Sequence, residues 1–90
     1  MDAHLLRIKI EEVARSLSGI LRPEEFAEVQ NSVAAGEAAE GVRTLAWLVD
    51  REEERIAPEV KLRVCDLSSG LVDVRDMPES LRHLLVVRPK

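Results

Sequence analysis

The chain has 90 residues, 46% hydrophobic, 33% charged and 2% aromatic, with 13 basic and 17 acidic side chains for a net charge of -4. Ninety residues make one domain with enough apolar content for a core, which excludes a disordered chain, and no apolar run approaches the ~20 residues of a membrane helix. The lone Cys65 excludes an internal disulfide and, with two scattered histidines, a metal site; the acidic balance argues against binding driven by nucleic-acid phosphates.

The first predicted helix runs from Asp2 to Leu17. Leu6, Ile10, Val13 and Leu17 recur at spacings of 4, 3 and 4 and share one face. Asp2 caps its start, and Ser18-Gly19 ends it through a left-handed glycine. Leu5 and Ile8 fall off that face, so a second contact is expected for this helix. Met1 to Arg7 lacks a basic segment leading into a long apolar one, so no secretory leader is expected.

Leu21-Arg22-Pro23-Glu24-Glu25 opens the second helix. Proline loses nothing at a first helical position, and the glutamates complement the helix dipole. Phe26, Val29 and Val33 form its buried side, and Gly36 stops it. The third helix spans Glu37 to Glu53, with Ala38, Val42, Leu45, Ala46 and Val49 on one face and Leu48 at its edge. Small residues at 34, 35, 38 and 39 predict a close approach of two backbones around Gly36. Trp47 projects about 140° from Val42 at 100° per residue.

Ala57-Pro58-Glu59 repeats the proline start. The fourth helix carries Val60, Val64, Leu67 and Leu71 on one face and Leu62, Cys65 and Ser69 opposite, which predicts a central position. Leu71 to Val74 reads as a short extended piece. Met77-Pro78-Glu79 opens a fifth helix with Leu81, Leu84 and Leu85, followed by a tail of Val86, Val87 and Pro89. Short connections between antiparallel helices predict an all-α fold, a compact bundle of four to five helices. Its core spans residues 2–86, with a basic tail at 87–90.

Charge is segregated along this chain. Residues 1–59 hold 13 acidic and 7 basic side chains, a balance of -6, while residues 60–90 hold 4 acidic and 6 basic, a balance of +2. An acidic front suits a basic partner, but a solvated surface that keeps the protein soluble is the favoured reading of the charge alone.

No pattern supports catalysis. His4 and His83 lie at opposite ends without a positioned partner. Cys65 sits mid-helix, as a buried structural thiol does. The serines occupy caps and helix surfaces, and the four glycines are isolated, so neither a nucleophile elbow nor a phosphate loop is present. A helix-turn-helix reading fails because Arg43 is the only base of the third helix before Arg51. For Trp47 two readings stand: a second core contact with the fourth helix, which small domains favour for a sole tryptophan, or an exposed anchor ringed by charge.

Val33-Ala34-Ala35-Gly36-Glu37-Ala38-Ala39-Glu40-Gly41-Val42-Arg43-Thr44-Leu45-Ala46-Trp47-Leu48-Val49 resembles the central segment of the MafI family of bacterial immunity proteins. Ile56-Ala57-Pro58-Glu59 fits the family's next helix start, and Leu21-Arg22-Pro23-Glu24-Glu25 its entry to the second helix. The likeness covers roughly residues 5–71, carried by helix order and spacing as well as identity. It implies a small helical cytoplasmic protein that binds one cognate secreted toxin, often a nuclease, without catalysis, cofactor, metal, nucleic acid or membrane. The candidate interface is Glu37, Glu40, Arg43, Trp47, Asp50, Glu53 and Glu54, an acidic face suited to a basic toxin cleft. An interaction or adaptor module is the rival reading, and an acidic DNA-associated regulator the third. Monomer and dimer both remain open.

Overall fold

In the computed structural model, residues 3–87 are described. They form α1 (Ala3–Ser16), α2 (Pro23–Ala34), α3 (Ala38–Arg51), α4 (Pro58–Ser68) and α5 (Glu79–Val87), with 3-10 turns at Glu53–Arg55 and Val74–Asp76. No strand occurs among the described residues, so the fold is all-α. The Asp2 cap and the tail residues Arg88, Pro89 and Lys90 lie outside the described residues, as do the side chains of Leu85 to Val87.

Both proline starts are met. Pro23 and Pro58 each hold a first helical position. At the start of α2 the Arg22 N–H donates to Glu25 Oε1 at 2.9 Å, so a third-position glutamate covers an otherwise orphaned amide. Gly36 ends this helix at φ 83°. The Glu37 N–H reaches back to the Ser32 carbonyl at 2.9 Å and the Gly36 N–H to Val33 at 3.1 Å, a pairing that closes the helix end. Gly19 behaves differently from expectation. Positive φ among glycines is confined to Gly36 and Gly70. The end of α1 is instead closed by the Ile20 and Leu21 amides, which both donate to the Leu17 carbonyl at 2.9 Å.

The turn at Gly36 folds α2 and α3 into an antiparallel hairpin. Gly41 of α3 lies against Val29, Ser32 and Val33, whereas Arg51 at the far end meets Glu25. The close backbone approach falls at Gly41, where an added Cβ would stand 3.1 Å from Val33 Cγ2. Ala34, Ala35 and Ala39, assigned to that contact by sequence, are exposed.

The hub is α3, which packs against each of the other four helices. Val42, Leu45, Ala46 and Val49 have no exposure at all, as their spacing predicts. Around them close Ile10, Val13 and Leu17 of α1, Val29 of α2, Val64, Cys65 and Leu67 of α4, and Leu81 of α5. Burying each large side chain of this set stabilises the fold by about 1.5–3 kcal/mol. Phe26 is only half-buried. In α4, Cys65 and Ser68 are buried, but Leu62 and Ser69 face solvent. That helix still touches α1, α3 and α5.

Three further boundaries depart from expectation. α3 stops at Arg51, and the turn at Glu53–Arg55 brings Ile56 back onto the core at 6% exposure. Leu71 to Val74 is not extended. Gly70 at φ 79° reverses the chain, and the Leu71 and Val72 amides both bond to the Ser68 carbonyl at 2.9 Å. Val86 and Val87 continue α5 rather than forming a tail.

Candidate functional site

Glu40, Arg43, Trp47 and Asp50 recur at spacings of 3, 4 and 3 along α3. They share a face set apart from the core stripe. In the fold this face is met by the segment from Leu71 to Ser80. Asp73 starts that segment's 3-10 turn, its carboxylate accepting from the Arg75 N–H at 2.9 Å. Met77 and Pro78 then bury themselves in the core. These anchors hold the turn against α3 at two points. The Trp47 indole N–H donates to the Asp76 carbonyl at 2.9 Å, and the Ser80 hydroxyl donates to Asp50 Oδ1 at 2.6 Å.

Trp47 is therefore not the second core contact with the fourth helix but the exposed alternative, with one edge tied down. The residue is 49% exposed, while the polar edge of its ring is tied to backbone 29 residues away. Beside this face a recess of about 250 Å³ is lined by Ala39, Glu40, Arg43, Leu71, Val72, Asp73 and Asp76. Three carboxylates and one guanidinium face it. Arg43 pairs with Glu40, and this pairing, with Asp76 nearby, raises the guanidinium's proton affinity. Asp73 is held down to about 2, first by the Arg75 side chain and then by the Arg75 N–H.

The remaining expected residues lie elsewhere on the helix. Glu37 flanks the start of α3, exposed and without a described cation in ion-pair range. Glu53 and Glu54 sit in the turn beyond its end. A second recess there, about 310 Å³, is lined by the continuous run from Asp50 to Arg55. Much of that run is neutralised internally. Arg51 grips Glu25 through both ends of its guanidinium and also bonds Glu52 at 2.8 Å. Arg55 reaches Glu52 at 3.2 Å and Lys61 reaches Glu53 at 3.8 Å. The Glu25 carboxyl is consequently held at about 2, by Arg51 first and the Arg22 N–H second. Glu52 is lowered by Arg51 and then Arg55. Of this run, Glu54 alone among the glutamates makes no ion pair with a described residue.

The seven expected residues thus divide into a central group and flanking charges. Asp73, Asp76 and Ser80 join the central group although nothing in the sequence reading placed them there. The Asp73-Val74-Arg75-Asp76 spacing carried a signal, since an aspartate that bonds the amide two residues on starts a turn. The β-branched Val72 and Val74 outweighed it.

The thiol and the two imidazoles are placed apart from this face. Cys65 is buried, and its thiol donates to the Leu81 carbonyl at 3.7 Å. His4 and His83 are exposed on α1 and α5. No group of three His, Cys, Asp or Glu able to hold a metal occurs among the described residues. No helix among them is long and apolar enough to cross a membrane. Comparison with known proteins finds no matching family model, no matching curated protein and no matching solved structure.

Proposed function

We propose that this chain is a binding protein that neutralises a basic protein partner, and that the partner is a cognate toxin of the kind the MafI resemblance implies. One observation carries the reading. Trp47 is half-exposed but fixed in orientation by its hydrogen bond to the Asp76 carbonyl, and Glu40, Asp73 and Asp76 line the recess beside the same helix face. Tryptophan is the side chain most enriched at interface hot spots. A ring already held in place loses little freedom on binding.

The surrounding carboxylates provide the charge complement. Glu37, Asp76 and Glu54 extend a negative field along α3, which steers a basic cleft toward Trp47 and raises the association rate. A nuclease cleft is basic because it holds phosphates, so an acidic helix face fits it by occlusion. Nothing in this mechanism requires a cofactor or a bond-making step.

The test is protection. Cells expressing the proposed cognate toxin are expected to survive when the chain is co-expressed, and the Trp47→Ala variant to lose that protection while keeping its helical content. Failure of the unaltered chain to protect contradicts the toxin reading. Retained capture of a basic partner without protection supports the adaptor reading in its place.

A further inference from the structure

Gly70 divides the chain into a body and an arm. Among the described residues fifteen form the buried core cluster, and all but Met77 and Leu81 precede this glycine. Helices α1 to α4 therefore hold most of that core among themselves. Gly70 reverses the chain at φ 79°, is exposed, and has open space where a Cβ would stand. The turn is closed by the two amide bonds to the Ser68 carbonyl, and no packing around Gly70 opposes a swing of its backbone.

Beyond this turn the arm carries bonds of its own. Asp73 accepts from the Arg75 N–H and from the Arg75 guanidinium, and the Arg82 guanidinium donates to the Met77 carbonyl at 2.9 Å. These bonds move with the arm. It is seated on α3 and α4 by Met77, Pro78 and Leu81, all fully buried. The Trp47 N–H to the Asp76 carbonyl, the Ser80 hydroxyl to Asp50 and the Cys65 thiol to the Leu81 carbonyl cross from body to arm. The first two of these bonds lie on the α3 face, and the third lies in the core under α5. Folded proteins open locally in cooperative units whose stability falls with the apolar contact they make. A terminal unit that supplies two of fifteen core residues and turns on an unpacked glycine stands at the low end of that range.

We propose that residues 71–87 form a hinged arm that docks and undocks as a unit while α1 to α4 stay folded, and that the α3 face is complete only in the docked form. Undocking takes the Asp76 carbonyl from Trp47 and Ser80 from Asp50, so the ring loses its fixed orientation. It also removes Leu71, Val72, Asp73 and Asp76, four of the seven residues lining the recess beside that face. The same motion uncovers Cys65, which is otherwise fully buried. A partner on the α3 face binds the docked form alone and so draws the arm shut over Cys65. That last consequence rests on the binding reading given above, whereas the arm's motion does not.

Cys65 is the sole cysteine and Trp47 the sole tryptophan, so the full chain carries its own probes. The test treats it with a chromogenic aromatic disulfide, in native buffer and at a series of low denaturant concentrations. The Cys65 thiolate attacks the reagent's disulfide, forming a mixed disulfide and releasing one coloured aromatic thiolate. The open population read from labelling is expected to exceed the globally unfolded population, read by circular dichroism, by about tenfold or more. Its denaturant dependence is expected to be shallower, because a small unit exposes little surface. Trp47→Phe and Ser80→Ala each remove one bond between arm and body and are expected to raise that ratio by about two- to tenfold. Arg7→Ala, on the exposed side of α1, is expected to leave it unchanged. In the labelled chain most of the helical signal is expected to persist while the Trp47 indole N–H exchanges about tenfold faster or more. Labelling that tracks global unfolding overturns the proposal. So do Trp47→Phe and Ser80→Ala variants with an unchanged ratio, or a labelled chain that unfolds throughout or keeps its indole protection. No partner enters this experiment, so its failure is distinct from a failure of the binding reading.

Discussion

The α3 face and the α1–α4 face are both built on the same core and differ in how their charges are handled. On the α3 face Arg43 is committed to Glu40 and Arg75 to Asp73, which leaves Asp76 beside a fixed, half-exposed Trp47. On the α1–α4 face the signs balance around Val13 and Leu67, and the large exposed side chains are aliphatic. The difference teaches that net charge becomes informative only after folding. Cutting the sequence at residue 59 puts α1 in the acidic half. Packing removes it from there and sets it beside α4, with which it shares a near-neutral surface.

The largest expected effect breaks both faces together. Leu45 is fully buried at the hub, so Leu45→Ala is expected to cost about 2–5 kcal/mol in chemical denaturation. Loss of folding cooperativity on both faces follows if one core supports them.

Gly36→Ala acts more narrowly, because a side chain at φ 83° strains the turn between α2 and α3. A cost of about 1–2 kcal/mol is expected, seen as a lower denaturation midpoint. An unchanged midpoint would show that the turn relaxes to another conformation.

Trp47→Phe keeps a ring on the α3 face but removes its N–H. The bond to the Asp76 carbonyl is lost, for an expected cost of about 0.5–1.5 kcal/mol. Amide hydrogen exchange sharpens the comparison. Protection is expected to fall around residues 73–77 and to persist in α1 and α4.

The smallest effect is a matter of pH. Glu25 is lowered from an ordinary 4.5 to about 2 by Arg51 and the Arg22 N–H. A depressed carboxyl stabilises the fold fully above its unfolded value and loses that contribution as pH falls through its folded value. Stability is therefore expected to decline between about 4.5 and about 2, and Glu25→Gln to flatten part of that decline. Asp73, also near 2, supplies a further part of the slope. Arg51 is exposed and solvent screens its pair with Glu25, so the effect is modest.

Helix order and the core were legible because local signals and packing agree. Pro23 and Pro58 start helices, Gly36 ends one, and the stripe from Val42 to Val49 is buried as its spacing requires. The Gly36-Glu37 pair that contributes to the MafI likeness also has a local reason, since Gly36 supplies the positive φ and the Glu37 amide closes the end of α2. What could not be read depends on contacts distant in sequence. Trp47 and Asp76 are 29 residues apart, and Arg51 and Glu25 are 26 apart. No local period records either meeting. The second of these turned much of the Asp50 to Arg55 run from a binding surface into an internal ion-pair network. Gly41 was missed for the same reason, since only the packed hairpin reveals that Val33 would have to give way by a few tenths of an ångström to admit a side chain there.

Calorimetric titration of the proposed cognate toxin into the unaltered protein and into Trp47→Ala tests the central claim most directly. The expected result is one-to-one binding that weakens with salt and falls by about thirtyfold or more in the variant, the scale of a hot-spot residue. Equal affinity for the two proteins would contradict it and remove the α3 face from the interface.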